Sequence, residues 1–253
     1  MKTLRQDTAR TRKSLLTTAS EVFAEKGYRD TTIAEISERA GTNIAAVNYH
    51  FGDKETLYRE AWRYSFLQSL EAHPPDGGAP DNAPVEQRLK AQIRALLSRS
   101  TDPDNKGFMI VNKELANPTG LLEEVMREEV LPITERMESL VREALGPGAS
   151  KARVRFCTIS IIGQCIMPTY ISRLQRQKPV AQKDSWRIDD IDAYAGHVAA
   201  FSLVGMRAVR RAVEETRATG KSFVSSVKKS ARPRTNTVRR KVSASSAGEQ
   251  RSK

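Results

Sequence analysis

Cysteine and histidine are scarce in this chain of 253 residues: Cys157 and Cys165 are the two cysteines, and His50, His73 and His197 the three histidines. Two thiols eight residues apart supply neither a disulfide framework nor a zinc cluster. The histidines stand in no metal-ligand spacing, so neither metal nor other cofactor is expected. A phosphate loop is missing as well. Gly220-Lys221-Ser222 has Glu215 where that motif needs glycine, and it follows a helical pattern instead of a strand. No Ser-His-Asp set follows from spacing, so no catalytic residue is assigned and the expectation is a non-enzyme. The first residues, Met1-Lys2-Thr3-Leu4-Arg5, carry charge where a secretion signal needs an apolar run. The reading is a cytoplasmic protein with reduced thiols, buried and inert or reporting oxidation. Long apolar runs are missing too. The uncharged stretch 156–172 sits at the lower edge of the roughly 17–25 residues a membrane span requires. It contains Thr158, Ser160, Gln164 and Thr169, so burial between helices is preferred and no membrane partner is expected.

What is abundant is positive charge, and it is unevenly placed. Formal charge is +12, with 42 Lys and Arg against 30 Asp and Glu. Residues 1–63 hold 11 basic and 9 acidic side chains, residues 64–220 hold 21 and 20, and residues 221–253 hold 10 and 1. Most of the excess therefore lies in the last 33 residues, which are rich in Ser and basic pairs and have a single aromatic, Phe223. Such a tail buries too little apolar surface to offset its ordering entropy and is expected to be disordered.

Strand alternation is rare and helical periodicity dominates. Leu15, Leu16, Ala19, Val22 and Phe23 form one stripe, which Gly27 ends. Thr32-Ile33-Ala34-Glu35 reads as a capping box opening a second helix, with Ile33, Ile36 and Ala40 on its inner side and Gly41 closing it. Asn43 caps a short third helix reaching about Phe51, and a fourth starts near Lys54. The Pro- and Gly-rich segment 73–80 is a loop. Helical patterns resume over 85–98, 108–117, 121–145, 152–175 and 188–216, with Pro132 and Pro168 predicted to kink the long ones. The fold class is all-α. An N-terminal three-helix helix-turn-helix domain (1–62) precedes a larger helical regulatory and dimerisation domain (63–220) and the basic tail (221–253).

Residues 32–51 have the build of a helix-turn-helix, whose second helix lies in the major groove. On a helical wheel Val47 and Phe51 point inward. Ala45 and Tyr49, flanked by Ala46 and Asn48, point outward and carry no charge. Small methyl-bearing residues allow close approach to DNA and contact with thymine methyls, and Asn48 can pair with adenine N6 and N7. The competing reading is a short connecting helix in an α-bundle. Two half-sites need two heads, hence a homodimer. Its candidate interface is Ile159, Ile162, Gly163 and Ile166 with Ala199, Ala200, Leu203 and Val204, unless these stripes are intramolecular core.

Residues 11–66 resemble the N-terminal domain of TetR-family transcriptional regulators. The first helix ends FAEKGY, followed by TTIAEISERAG and NIAAVNYHFGDKETLY. The last of these phrases is similar to the CecR-like branch, whose regulatory domain the later helices also resemble. The resemblance implies that Thr32, Tyr49, His50 and Lys54 contact phosphates. Ile44, Ala45, Ala46 and Asn48 would face bases, and Asn43, the cap of the third helix, belongs to the same DNA-binding set. Where the family usually has an aromatic directly after the buried aliphatic, this chain has Asn48, which implies a polar base or phosphate contact in its place. His50 also reads as a core histidine, and Thr32 as a plain cap. The resemblance further implies double-stranded DNA with a palindromic operator as partner, repression as the outcome, and release by a small-molecule effector. Candidate pocket walls are Phe108, Met109, Asn112, Met137, Leu140, Cys157, Ile161 and Tyr170. Glu114 and Arg155 either recognise a ligand or pair with each other. The alternative function is a sequence-neutral, nucleoid-type protein acting through the basic tail.

Overall fold

The computed structural model describes residues 2–176 and 188–219, which are helical with short connections and contain no strand. The helices are α1 (Lys2–Lys26), α2 (Ile33–Arg39), α3 (Ile44–Phe51), α4 (Lys54–Ala72), α5 (Val85–Thr101), α6 (Lys106–Ala116), α7 (Glu123–Leu145), α8 (Lys151–Arg176) and α9 (Ile191–Thr219). The chain divides after Arg211 into a unit of residues 1–211 and a second of 212–253. The second unit contains the end of α9, and the basic tail 221–253 lies outside the described residues.

Local chemistry sets the boundaries. The α1 stripe from Leu15 to Phe23 is buried, and the helix stops at Gly27, whose φ of 81° suits a residue without Cβ. The Gly27 amide donates to the Phe23 carbonyl at 2.8 Å. Thr32 caps α2, its Oγ1 accepting from the Glu35 amide at 3.1 Å. The reciprocal half of the capping box is replaced. The Glu35 carboxylate accepts from Lys26 at 2.6 Å and Arg39 at 2.8 Å, since two cations compete better for it than a neutral amide. Asn43 and Asp53 cap α3 and α4, accepting from the Ala46 and Thr56 amides at 2.9 Å and 2.7 Å.

Two cores share the first unit. One gathers Leu15, Phe23, Ile36, Val47, Tyr58 and Trp62 from α1–α4, and Ile110 of α6, Leu122 at the N-cap of α7 and Val125 of α7 complete it. The other joins Leu89, Ile93 and Leu97 of α5 to α7, α8 and α9. The expected cut between residues 62 and 63 falls inside α4, which runs on without a break to Ala72. α6 lies antiparallel to α4: Asn105 Nδ2 bonds Ser69 Oγ at 3.0 Å, Gly107 packs on the Phe66 backbone, and Glu114 meets Tyr58.

Pro132 and Pro168 lie within α7 and α8, as the sequence predicts. Pro168 has no amide for the Gln164 carbonyl four residues back. The Tyr194 hydroxyl of α9 donates to that oxygen at 3.2 Å. The 73–84 loop folds onto α5 through Gly77, where an added Cβ would lie 2.2 Å from the Ala91 carbonyl oxygen. Among the described residues no helix is long and apolar enough to cross a membrane.

Candidate nucleic-acid interface

The α2–turn–α3 unit holds its second helix by two side chains. Val47 is fully buried and Phe51 nearly so, both within the first core. From behind, the Arg12 guanidinium lies 5.2 Å from the centre of the Phe51 ring and pairs with Glu60 at 3.0 Å. On the outer side Asn43, Ile44, Ala45, Asn48 and Tyr49 are exposed, Ile44 at 49% and Tyr49 at 77%. This side is uncharged. Ala46 differs from expectation: it is half-buried and packs against the core, because the first turn of α3 leans on α2. The exposed side of α3 and its cap is therefore Asn43, Ile44, Ala45, Asn48 and Tyr49.

The expected phosphate contacts are placed as follows. Thr32 is exposed, and its hydroxyl, while accepting from Glu35, keeps a proton to donate outward. His50 is half-buried, its ring centre 5.0 Å from that of Tyr49 and 6.0 Å from that of Phe51. Lys54 opens α4, with Nζ 4.3 Å above the Tyr28 ring. Partial desolvation there lowers its pKa, and Asp30 opposes the shift. The ring holds the ammonium group in one place by a cation–π contact. Beside it, the Asp53 carboxyl is held below the usual carboxylate range by the Thr56 amide.

Sequence reasoning missed how this head is tied to the helices that follow. Arg59 Nε donates to the Leu121 carbonyl at 3.2 Å and Arg29 to the Pro118 carbonyl at 3.2 Å. Arg63 bonds Glu60, Glu128 and Glu129. The i,i+4 pair Glu55–Arg59 and the i,i+3 pair Glu60–Arg63 are visible in the sequence. Their partners across the fold are not.

The residues expected to wall a ligand pocket are dispersed. Met109 packs on the first core, whereas Met137, Leu140, Cys157 and Ile161 belong to the second. Phe108 and Asn112 are half-buried, and Tyr170 is exposed. Glu114 does not pair with Arg155, which is exposed. Its carboxylate accepts from Tyr58, from the Thr119 amide and hydroxyl, and from the Gly120 amide. This ties down the α6–α7 corner, where backbone amides would otherwise lack partners. A cavity of about 160 Å³ opens elsewhere, lined by Asp76, Asp81, Arg88, Gln92, Arg136 and Leu140 among others. Leu140 alone of the expected set borders it.

The expected interface residues also separate. Ile159, Gly163, Ala200 and Val204 are exposed, and Ile162 and Ile166 are half-buried. Ala199 is corrected: it is buried in the second core, against which Leu203 also packs. Phe156, Met167 and Phe201, at 66%, 56% and 64% exposure, take their place on the outer side. Positions 156, 159, 163, 167 and 170 on α8 and 197, 201, 204 and 208 on α9 form two helical stripes open to solvent.

Comparison with known proteins agrees with this layout. Residues 15–61 match the family of bacterial regulatory proteins of the tetR type. Residues 85–206 match the C-terminal domain of the HTH-type transcriptional dual regulator CecR. The chain is 27% identical over 165 residues to CecR of Shigella flexneri, covering 61% of this chain and 74% of that protein. It is 34% identical over 144 residues to the transcriptional regulator AcrR of the same organism, covering 56% and 67%. Its fold is similar to that of the transcriptional regulator FadR from Bacillus subtilis, solved with stearoyl-CoA, at a TM-score of 0.58 and 19% identity over 76% of this chain and 97% of that one. A helix-turn-helix head, an all-helical second part and both family matches in chain order place the protein in the TetR family of transcriptional regulators, in its CecR-like branch.

Proposed function

We propose that the protein is a homodimeric repressor that grips a palindromic operator with α3 of each protomer and lets go when a small-molecule effector binds. One observation carries the reading: α3 turns a methyl-rich, uncharged side to solvent while Val47 and Phe51 pin it from behind. Exposing Ile44 and Tyr49 to water gains nothing for the free protein. Against a duplex the same side offers methyls to thymine and the Asn48 amide to adenine, with Tyr49, Thr32, His50 and Lys54 available for phosphates.

A single head makes few base contacts, so two heads related by a two-fold axis are required. The occupant of the α8/α9 stripes is a second copy of this chain. Phe156, Ile159, Met167, Phe201 and Val204 give them an apolar surface, and nothing lies within 4 Å of a Cβ built at Gly163, so backbones can approach closely there. For the effector, the FadR neighbour carries stearoyl-CoA, which makes acyl-CoA thioesters the first class to try. Any effector must bind the DNA-incompetent arrangement better than the competent one.

Selection of bound sequences from a random DNA pool tests the reading. An inverted repeat with half-sites one helical turn apart is expected. Recovery of no common sequence, or of a single unrepeated half-site, would refute it.

A further inference from the structure

Among the described residues, the last turn of α5 buries a cation without a counter-ion. Arg99 is 7% exposed and sits where α4, α5 and α8 converge. One of its five N–H donors has an assigned partner, Nη1 donating to the His73 carbonyl at 2.6 Å. No carboxylate among the described residues pairs with it. Polar groups nearby are committed to one another. Asn105 Nδ2 bonds Ser69 and the Arg99 carbonyl, Ser100 Oγ bonds the Leu97 and Cys165 carbonyls, and Thr169 Oγ1 bonds the Ser100 carbonyl. Cys165 offers no charge either, because burial pushes its thiol up to about 12. Burial brings Arg99 itself down to about 10, which still leaves it charged at neutral pH.

An unpaired buried cation is costly, and a fold with no use for it does better with an apolar side chain of similar shape. A planar guanidinium with donors beyond the one that meets His73 matches one class of partner above others, an oxyanion taken bidentately. We infer that Arg99 is the anion-binding residue of the effector site, receiving a carboxylate or phosphate group of the ligand. The inference rests on the proposed effector-released regulator and adds the ligand's chemical class. It also supplies a route to the head. The carbonyl that Arg99 now holds belongs to His73, the C-cap of α4, and α4 begins at Lys54 beside the reading helix. An arriving oxyanion competes with that carbonyl for the guanidinium and loosens the end of α4.

The test uses the full chain and two variants, Arg99→Met and Arg99→Lys. Without ligand, Arg99→Met is expected to melt at or above the wild-type temperature. A clear fall would mark Arg99 as a structural strut and overturn the inference. Thermal unfolding is then followed with isovaleryl-CoA, octanoate and inorganic phosphate, and with octan-1-ol as the uncharged control. At least one anion is expected to raise the wild-type midpoint by about 5–10 °C at a hundredfold excess over its Kd. The rise should vanish in Arg99→Met and shrink in Arg99→Lys, with octan-1-ol silent. A response to phosphate assigns the phosphate group, and a response to octanoate alone assigns a carboxylate. No anion shift in the wild type, or a shift that survives in Arg99→Met, overturns the inference. Binding to the selected operator is measured in parallel: if the wild type fails there, the regulator reading falls instead.

Discussion

Tyr58 of α4 donates its buried hydroxyl to the Glu114 carboxylate of α6 at 3.0 Å, joining the helix behind the reading head to the corner that starts α7. The phenol lies edge-on to Phe23, ring centres 4.8 Å apart. Burial and the neighbouring carboxylate together hold its pKa far above the ordinary tyrosine value, so it stays a donor at any physiological pH. Removing the hydroxyl leaves the ring packing intact. Tyr58→Phe is expected to cost about 1.5–3 kcal/mol, as for a hydrogen bond to a charged acceptor. Glu114→Ala should cost more, since it strands the Thr119 and Gly120 amides as well. Urea unfolding of both variants checks the order, and equal losses would contradict it.

Asn48 and Tyr49 stand side by side on α3 with different expected roles. Asn48→Ala should relax preference at one base pair of each half-site by about 1–3 kcal/mol. Tyr49→Ala should weaken operator and mismatched DNA alike. Both side chains are exposed, so the melting temperature should barely move. Competition binding with single-base operator variants separates the two patterns.

Replacing Phe201, which faces solvent at 64% exposure, by glutamate should split the proposed dimer without unfolding the protomer. Sedimentation should then show monomer at micromolar concentration, helicity should be unchanged, and operator affinity should collapse. Ala199, buried in the second core, gives the contrasting case. Ala199→Glu should unfold the protein, because it places a charge inside an apolar core.

Acid should loosen the head through Asp53 and Glu35. Both carboxyls are held below their ordinary values, Asp53 chiefly by the Thr56 amide and Glu35 chiefly by Lys26. Their contribution is therefore complete above the unfolded carboxyl pKa and is lost as pH falls through the lower folded value. Between about pH 5 and pH 2 the wild type should lose more stability than Asp53→Asn, which retains a capping oxygen but has no proton to take up. Parallel curves for the two proteins would contradict this origin.

Residues 221–253 hold 10 basic side chains and 1 acidic one. Deleting them should flatten the salt dependence of DNA binding, the slope shrinking by about 0.9 for each phosphate that the tail neutralises. Preference for the operator over random DNA should survive. Its disappearance would favour the sequence-neutral reading.

The reading head was legible because its signals are local. Gly27, Thr32, Asn43 and Asp53 act on their own helix ends, and Val47 and Phe51 declare the inner side of α3 by spacing alone. Ala46 was harder to place. It lies at the edge of the α3 stripe, and only the lean of α3 on α2 decides which way such an edge residue faces. The ligand-site candidates posed a different difficulty. Methionine and aromatic residues at helical spacing look the same in a core as beside a cavity, and here they split between two cores. Arg99 was missed because nothing in its neighbourhood in sequence says that α4 and α8 close over it.

The order of short-range events along the chain settled the fold class, the helix ends and the side of α3 that meets solvent, since capping and periodicity act within a turn or two. Tertiary structure alone decided that Glu114 serves the α6–α7 corner, that Phe201 and not Ala199 faces outward, and that Arg99 is enclosed with no carboxylate partner among the described residues. Each of these depends on which helix arrives from a distant part of the chain. That is a matter of packing between faces, and helical spacing describes only one face at a time.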